Sequence, residues 1–328
     1  MELESIAERA AAAAGAPVTD LRPLLGGLSS ITLAARLGEE AGKPIVLKVA
    51  PPGLKPVGNR DVLRQARVLR ALARVEGLAV PEVLFTDDGA PPLFGMGFVE
   101  GESFEPVNST GPLPPPDDLG GRAMAAAVML ARLHAVSPLQ IGLGGDPVGG
   151  LVAEVERWAQ ALDTVDEDLR PGHTACAARL KATVPEPWPP AVLHGDWRLG
   201  NMLCQGRRIE AVIDWEIWSI GDPRIDLAWF VANSVWQGNV FATRPAPGLP
   251  GPAALRAAYD SAAGRPVAAR AWFDALVGLK QAATMGLILK RNRRRPAPDP
   301  TIEAHAPILP RLLEQAIARL DARRLALT

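Results

Sequence analysis

The segment 192–229, VLHGDWRLGNMLCQGRRIEAVIDWEIWSIGDPRIDLAW, constrains the fold of this chain more than any other. Two short apolar runs in it, 202–204 and 211–213, flank a polar stretch with a glycine and are typical of two strands joined as a hairpin. In that pairing Asn201 and Asp214 lie nearly opposite each other at the open end of the hairpin. The segment therefore predicts that an amide oxygen and a carboxylate face a common small volume.

A third polar residue, Asp196, lies in the loop that enters this hairpin. Magnesium prefers hard oxygen ligands and usually takes one or two from protein, with phosphate and water completing its shell. Asn201 and Asp214 can supply those two, and Asp196 can then accept the proton of an attacking hydroxyl. Phosphoryl transfer needs such positioned groups and cations more than covalent chemistry, so the set favours that reaction.

The pattern HGDxxxxN, followed by IDWE and GDPxxDLA, resembles the aminoglycoside phosphotransferase/choline kinase family of kinase-like enzymes. Features upstream match the family in order: a nucleotide loop at 26–32, a strand lysine at Lys48, a lobe helix at 60–72 and a hinge at 97–101. The order of motifs extends the resemblance over about residues 20–290.

The resemblance implies an α+β, bilobal protein-kinase-like fold. A small N-terminal lobe, residues 1–98, would hold an antiparallel sheet with one main helix and bind nucleotide. A larger, mostly helical lobe, residues 99–328, would carry catalysis and bind the acceptor. The residue pattern agrees with this division, because β-type runs dominate the first hundred residues and helical periodicity dominates the remainder.

The family pattern also implies cofactors and roles. The cofactors would be ATP and Mg²⁺. Asp196 would be the catalytic base or would orient the acceptor hydroxyl, Asn201 and Asp214 would hold Mg²⁺, and Lys48 would reach the α- and β-phosphates. Two glycine-containing segments would bind the rest of the nucleotide, the first over its phosphates and the second at adenine: Gly26, Gly27 and Ser29, then Gly97, Phe98 and Val99.

Two residues depart from the common pattern. Kinase-like folds usually pair the strand lysine with a glutamate of the lobe helix, and the sequence has Gln65 there. Either Asp61, one turn earlier, substitutes for that glutamate, or Lys48 is held otherwise. Arg198 stands two residues after the base, where antibiotic-modifying members tend to carry a small residue and hydroxyacyl-CoA-phosphorylating relatives carry arginine. Arg198 is therefore expected to contact the γ-phosphate as a second catalytic residue.

Composition limits the partners. Lys and Arg number 35 against 36 Asp and Glu, so the net charge of −1 offers no global field for nucleic acid or an anionic membrane. Cys176 and Cys204 are expected to be reduced thiols, and the acidic N-terminus does not resemble a signal peptide. We therefore expect a cytoplasmic protein with a small-molecule hydroxyl acceptor, whose oligomeric state the sequence leaves open.

The acceptor has alternatives. Arg198 and the helix at 271–289 favour a hydroxyacyl-CoA or similar metabolite, whereas an aminoglycoside or other antibiotic is the alternative within the same class. A basic run at 290–295 would suit an anionic acceptor or be a solvated helix end, and an acidic stretch at 163–168 would suit a polycation. A non-catalytic nucleotide-binding scaffold is the alternative from another class, supported by Gln65.

Six of the eight tryptophans lie between Trp188 and Trp236, across the segment that carries the motifs. Trp215, Trp218 and Trp229 follow apolar spacing and are expected in the core. Trp197, inside the catalytic loop, is expected either in the core or in the wall of an acceptor pocket. Three further residues near the motifs are interpreted as structural: His194, Asp222 and Asp226.

Overall fold

A computed structural model of the chain describes residues 3–24, 30–39, 42–105, 111–237 and 239–325, and side chains as far as residue 322. The chain divides into two compact units. The first comprises Met1–Phe104, Val136–Gly145 and Gly200–Trp218, and the second comprises Glu105–Ala135, Asp146–Leu199 and Ser219–Thr328.

The first unit is built on a five-stranded antiparallel sheet in the order β1-β2-β3-β5-β4. Helix α1, Leu3–Ala14, precedes it, and α2, Val62–Leu72, follows the third strand. The strands run as follows: β1 Val18–Pro23, β2 Ile31–Leu37, β3 Lys43–Val49, β4 Val83–Asp87 and β5 Leu93–Gly97. Their inward side chains, with Ile6 and Ala10 of α1, form one apolar core.

The second unit is mostly helical. Its helices are α3 Pro116–Ala135, α4 Leu151–Asp163, α5 His173–Ala182, α6 Arg224–Ser234, α7 Pro252–Ala263, α8 Arg270–Arg293, α9 Pro300–Glu303 and α10 Ile308–Leu325. Helix α8 supplies the largest share of the apolar core, which it forms with residues of α4, α5, α6 and α10. Two three-residue strands, β6 Ala191–Leu193 and β9 Ser219–Gly221, pair antiparallel beside it.

The predicted hairpin of the motif segment is present in the first unit. Strands β7, Met202–Gln205, and β8, Arg208–Val212, pair antiparallel with Met202 opposite Val212 and Leu203 opposite Ala211. Glu102 forms backbone hydrogen bonds with Cys204 at 3.0 Å in both directions, next to Gly101 at φ +157°. A Cβ on Gly101 would lie 2.9 Å from the backbone nitrogen of Cys204, so only glycine allows this close approach.

Two local features carry little signal in the sequence. Strand β1 is one, because its polar side chains hide the alternation of an edge strand. The start of α3 at Pro116, directly after a stretch rich in proline, is the other. Proline suits the first helical position, and Asp117 and Asp118 favour the positive end of the helix dipole, so these residues start a helix rather than avoid one.

Among the described residues, none of the helices is both long enough and apolar enough to cross a membrane.

Candidate active site

The open end of the β7–β8 hairpin holds the two oxygen donors predicted for a metal. The carbonyl oxygen of Asn201 accepts from the Ile213 amide at 2.9 Å, and Asn201 is buried. Asp214 follows at once with φ 67° and ψ 54°, the left-handed conformation. Such a backbone is uncommon outside glycine and is often found at functional sites, and aspartate is among the residues that tolerate it best.

Lys48 and Asp214 lie together. Lys48 is on the central strand β3, opposite Thr32 of β2 and Phe94 of β5, and its side chain is 11 % exposed. Its ammonium nitrogen lies 3.8 Å from Oδ1 of Asp214 and donates to Oγ of Ser30 at 3.4 Å. A cation is therefore fixed beside a carboxylate of the predicted metal pair.

The structure answers how Lys48 is held without a glutamate on α2. Gln65 is buried beside the same small recess, but its amide donates to the carbonyl of Asn59 at 3.4 Å rather than meeting Lys48. Asp61 is the N-cap of α2 and accepts from the amide of Arg64 at 3.0 Å. Asp61 therefore does not substitute for the glutamate, and Asp214 and Ser30 hold the lysine instead.

Trp218 ties α2 to the segment that follows Asp214. The guanidinium of Arg64 lies 4.1 Å from the Trp218 ring centroid and donates to the Trp218 carbonyl at 2.5 Å. The Trp218 indole in turn donates to the Arg64 carbonyl at 3.2 Å. Trp218 is buried, as its spacing predicted, and these contacts fix the segment that leaves the β7–β8 hairpin.

The predicted nucleotide segments are only partly described. Gly26, Gly27 and Ser29 lie outside the described residues. At the hinge, the amide of Gly97 donates to the Glu82 carbonyl at 2.9 Å and that of Phe98 to the Pro44 carbonyl at 3.3 Å. That this segment contacts adenine remains a prediction. Because these two amides are already hydrogen-bonded within the protein, other backbone groups, including those of Val99, would make the contact.

In the second unit, two side chains hold the carboxylate of Asp196. The indole of Trp229 donates to Oδ1 at 2.8 Å, and Nε of Arg198 donates to Oδ2 at 3.0 Å. Nη1 of Arg198 also donates to Oε2 of Glu105 at 3.2 Å. Burial disfavours the charge on Arg198, yet the carboxylates of Asp196 and Glu105 hold the pKa of Arg198 above its ordinary value. Arg198 thus orients Asp196; phosphate contact by Arg198 remains a prediction.

A fully buried carboxylate, Asp226, holds the backbone just before Asp196. Its oxygens accept from the amides of His194 at 2.6 Å and Gly195 at 3.0 Å. Gly195 has φ 86°, which favours glycine. Burial raises the pKa of Asp226, but its interactions with His134, Lys280 and His194 outweigh burial and lower it overall. Asp226 ties the loop before Asp196 to α6, in agreement with the structural role that the sequence predicted for it.

Several neighbours of these groups are structural. His194 is fully buried and accepts from the Asp196 amide through Nδ1 at 3.2 Å. Trp197 is 1 % exposed, and its indole donates to the Ala126 carbonyl at 3.2 Å. Of the two expected positions, Trp197 therefore occupies the core and not the wall of an acceptor pocket. Asp222 is buried and paired with Arg224 at 2.6 Å.

Sequence reasoning missed two contacts at this site, those of Glu105 and of the Trp229 indole, and it considered Lys280 only as part of the helix at 271–289. Glu105 follows the hinge by only a few residues and carries no distinguishing pattern. Trp229 was assigned to the core, where it does pack at 8 % exposed, but its polar edge reaches Asp196. Lys280 gave the clearest signal, because it is the one charged residue between Asp274 and Lys290.

One residue of the basic run 290–295, Arg293, pairs with two carboxylates of the acidic stretch 163–168. The guanidinium of Arg293 contacts Asp166 at 2.9 Å, Asp168 at 3.0 Å and Glu303 at 2.7 Å. Hydrogen bonding to Arg293 lowers the pKa of Asp168 despite partial desolvation. Arg293, Asp166 and Asp168 are therefore not simply available to a charged acceptor.

Among the described residues, no cluster of three His, Cys, Asp or Glu side chains could hold a metal by itself. The donors at the hairpin, Asn201 and Asp214, are both hard oxygen ligands, which fits Mg²⁺ when nucleotide phosphate and water supply its remaining ligands.

A sheet-based unit with a central lysine and a helical unit with an oriented aspartate define a kinase-like phosphotransferase. The sequence profile of the Phosphotransferase enzyme family, APH, matches residues 20–244, and the chain belongs to that family.

Solved structures share this fold over nearly the whole chain. A protein provisionally named an aminoglycoside phosphotransferase, from Ralstonia eutropha, has TM-score 0.79 and 21 % identity, with 98 % of this chain and 97 % of that chain covered. The GDP and kanamycin complex of an APH(2″) enzyme has TM-score 0.67 and 16 % identity, covering 97 % and 99 %. A choline/ethanolamine kinase family protein from Mesorhizobium loti has TM-score 0.59 and 19 % identity, covering 98 % and 99 %.

Curated relatives have different names. Acyl-CoA dehydrogenase family member 11 of Homo sapiens is 27 % identical over 204 residues, 60 % of this chain and 26 % of that protein. Acyl-CoA dehydrogenase family member 10 of Mus musculus is 26 % identical over 211 residues, 62 % of this chain and 19 % of that protein. The matched region thus spans about a quarter or less of these relatives.

Proposed function

We propose that this chain transfers the γ-phosphoryl group of ATP, in the presence of Mg²⁺, to a hydroxyl group of a small molecule. The observation that carries the proposal is the carboxylate of Asp196, held by Trp229 at 2.8 Å and Arg198 at 3.0 Å. A carboxylate fixed in this way is suited to orienting an acceptor hydroxyl and accepting its proton.

The residues of the first unit support the nucleotide half of the reaction. Asn201 and Asp214 would hold Mg²⁺, which when bound neutralises charge on the phosphates. Lys48 would bind the α- and β-phosphates, and the segments Gly26–Ser29 and Gly97–Val99 would lie against the nucleotide. The contact between Lys48 and Asp214 supports this assignment, because an ammonium group beside a carboxylate is suited to holding a phosphate together with its metal ion.

We further propose that the preferred acceptor is a hydroxyacyl-CoA or a similar metabolite rather than an aminoglycoside. A cavity of about 270 Å³ in the second unit has two arginines, Arg256 and Arg319, but a single carboxylate, Asp274, which is paired with Arg256 at 2.6 Å. A polycationic aminoglycoside would want carboxylates here. Four amides also line the cavity and suit an uncharged, amide-bearing chain: Gln237, Asn239, Gln281 and Gln315.

The same cavity is linked by hydrogen bonds to the support of Asp196. Gln281 in its wall donates to Asn233 at 3.3 Å, and Asn233 donates to the carbonyl of Trp229 at 2.8 Å. The pairing of Asp166 and Asp168 with Arg293 also leaves fewer carboxylates of the acidic stretch for a polycation. The names of the curated relatives point to acyl-CoA chemistry as well.

The test is a coupled ADP-release assay with ATP and Mg²⁺ over a panel of hydroxyacyl-CoAs, aminoglycosides, macrolides, choline-like alcohols and sugars. We expect release with a hydroxyacyl-CoA. Asp196→Asn should lower turnover by about 10²–10⁴-fold, because it removes the proton acceptor, while the ATP affinity measured calorimetrically stays within about twofold, a difference under about 0.5 kcal/mol. The exposed Asp88→Asn is the matched control and should leave both unchanged.

Other outcomes separate the alternatives. Turnover with aminoglycosides and none with acyl thioesters would replace the proposed acceptor class. ATP binding without transfer to any compound of the panel would favour a nucleotide-binding scaffold. Normal turnover of Asp196→Asn would contradict the role of Asp196.

A further inference from the structure

Helix α8 brings a buried ammonium group to the loop that carries Asp196. Lys280 is 4 % exposed, and its Nζ donates to the carbonyl oxygen of Gly195 at 2.6 Å. The same nitrogen lies 4.1 Å from the ring centroid of Trp229 and 5.5 Å from that of Trp158. The lysine thus meets the backbone immediately before Asp196 and the indole that donates to Asp196.

Such a lysine is costly to bury, because a charged side chain loses its hydration and must be compensated by partners. Desolvation lowers the pKa of Lys280, while the carboxylates of Asp226, Glu154 and Asp196 oppose that fall. Neighbouring positions of α8, such as Leu276 and Ala283, are apolar and buried. An apolar side chain would therefore pack here at lower cost, so the fold of the helix alone does not explain a lysine.

Lys280 contacts two groups that support Asp196, the Gly195 peptide and the Trp229 indole. Asp226 fixes the amide side of Gly195 at 3.0 Å, and Lys280 fixes its carbonyl side. The Trp229 ring presents its face to the ammonium and its N–H edge to Oδ1 of Asp196. An ammonium over the electron-rich face of an indole is attractive, and the attraction holds the ring in place.

We propose that Lys280 is a positioning residue for Asp196, acting through the Gly195 carbonyl and the Trp229 indole; the catalytic part of this proposal rests on the proposed function. Lys280 does not touch the reacting groups. It fixes the rotation of the peptide that leads into Asp196 and the ring that holds the carboxylate. Small misplacements of a catalytic group slow a reaction strongly, so this support is expected to act on turnover rather than on nucleotide binding.

The first test needs no substrate. In the full chain labelled with ¹⁵N-tryptophan, Trp229→Phe identifies the indole N–H resonance of Trp229. We expect Asp196→Asn and Lys280→Met each to move that resonance, because one removes the negative charge of its acceptor and the other removes the cation on its face. Lys280→Arg should move it less, since the guanidinium keeps the cation. Lys290→Met on the same helix is the control and should leave it in place.

The second test uses the acceptor found by the ADP-release panel. Lys280→Met should lower kcat by about 10²-fold with the KM for ATP unchanged, and Lys280→Arg should recover part of the loss. Thermal unfolding of both variants and of Lys290→Met shows whether the change is one of folding: a purely structural lysine would lower the melting temperature and leave kcat of the folded fraction unchanged.

An unmoved Trp229 resonance in Lys280→Met overturns the proposal, and so does an unchanged kcat. If Lys280→Met does not fold, the same two readouts on Lys280→Arg and on Lys280→Gln decide the question. A chain that transfers no phosphate to any acceptor would contradict the proposed function, whereas the resonance of Trp229 still tests the link from Lys280 to Asp196.

Discussion

At the scale of single residues, the site is defined by charged groups that are at least partly buried and are held by side-chain partners. Lys48 is held by Asp214 and Ser30, and Asp196 by Trp229 and Arg198. This explains how the site keeps its geometry although α2 has a glutamine where kinase-like folds have glutamate.

We expect the loss of the Asp226 carboxylate to lower the free energy of unfolding strongly. Asp226→Asn removes a buried charge that faces Lys280 and His134, and it is expected to lower the free energy of unfolding at pH 7 by about 3 kcal/mol, since breaking a buried ionic arrangement leaves its partner uncompensated. Urea unfolding followed by circular dichroism measures this. Asp321→Asn, in an exposed pair with Arg179, is the control and should cost less than about 1 kcal/mol.

The same residue predicts a pH dependence. The folded pKa of Asp226 is lowered from its ordinary value of 3.8. Its contribution to stability is therefore complete above pH 3.8 and is lost as the pH falls through the lower folded pKa. Wild type should lose stability in that acid range more steeply than Asp226→Asn; parallel curves for the two proteins would count against this linkage.

At the scale of elements, the starts of helices and the register of strands determine where the side chains of the site lie. Helix α2 begins after Asp61, which caps it. Trp218 fixes that helix to the segment that follows the β7–β8 hairpin. Strand β3 places Lys48 because it is the central strand of its sheet, with β2 and β5 on either side. In the second unit, α6 carries both Asp226 and Trp229, three residues apart and so on neighbouring positions of one helix face.

Substitution of Asp61 distinguishes two roles for this residue, capping of α2 and service to the nucleotide. Asp61→Ala should lower the free energy of unfolding by about 1 kcal/mol, because the amide of Arg64 loses its acceptor. Asp61→Ser should restore most of that stability, since serine also caps helices. Both variants should keep wild-type turnover with ATP, because Asp61 does not hold Lys48. A marked loss of turnover in Asp61→Ser would instead mean that the carboxylate serves the nucleotide.

At the scale of the whole chain, a net charge of −1 conceals segments of opposite charge that pair with each other. Arg293 connects α8 to Asp166, Asp168 and Glu303. The sequence treated these two segments as competing signals about the acceptor. The contacts of Arg293 indicate that this residue and its three partners contribute to the stability of the second unit.

Arg293→Ala tests that interpretation. We expect the melting temperature to fall by about 1–3 °C, because the ion pairs are partly exposed. The difference from wild type should shrink in 1 M salt. It should also shrink as the pH falls below 3.8, because the lowered pKa of Asp168 makes its contribution present above that pH and lost beneath it.

Arg294→Ala, which alters an exposed neighbour of the same run, is the matched control and should leave the melting temperature unchanged. The KM for the acceptor should be the same in both variants. A raised KM confined to Arg293→Ala would return this run to the list of acceptor contacts.

The sequence by itself determined the family, the α+β fold, the hairpin at 202–212 and the structural role of Asp226. These follow from residues close together in the chain, whose order and spacing fix local hydrogen bonding and match a known pattern. The same locality made Asp61 ambiguous, because its position on α2 was compatible with both a cap and a partner for Lys48.

Only the tertiary structure decided which side chains meet across long separations. It showed that Asp214 and Ser30 hold Lys48. It showed that Trp229 donates to Asp196 and that Glu105 accepts from Arg198. It also showed that Lys280 donates to the carbonyl of Gly195. It also paired the acidic stretch with Arg293. Such contacts depend on which face of a helix or strand turns inward, and this is set by packing of the whole unit rather than by the neighbours of a residue in the chain.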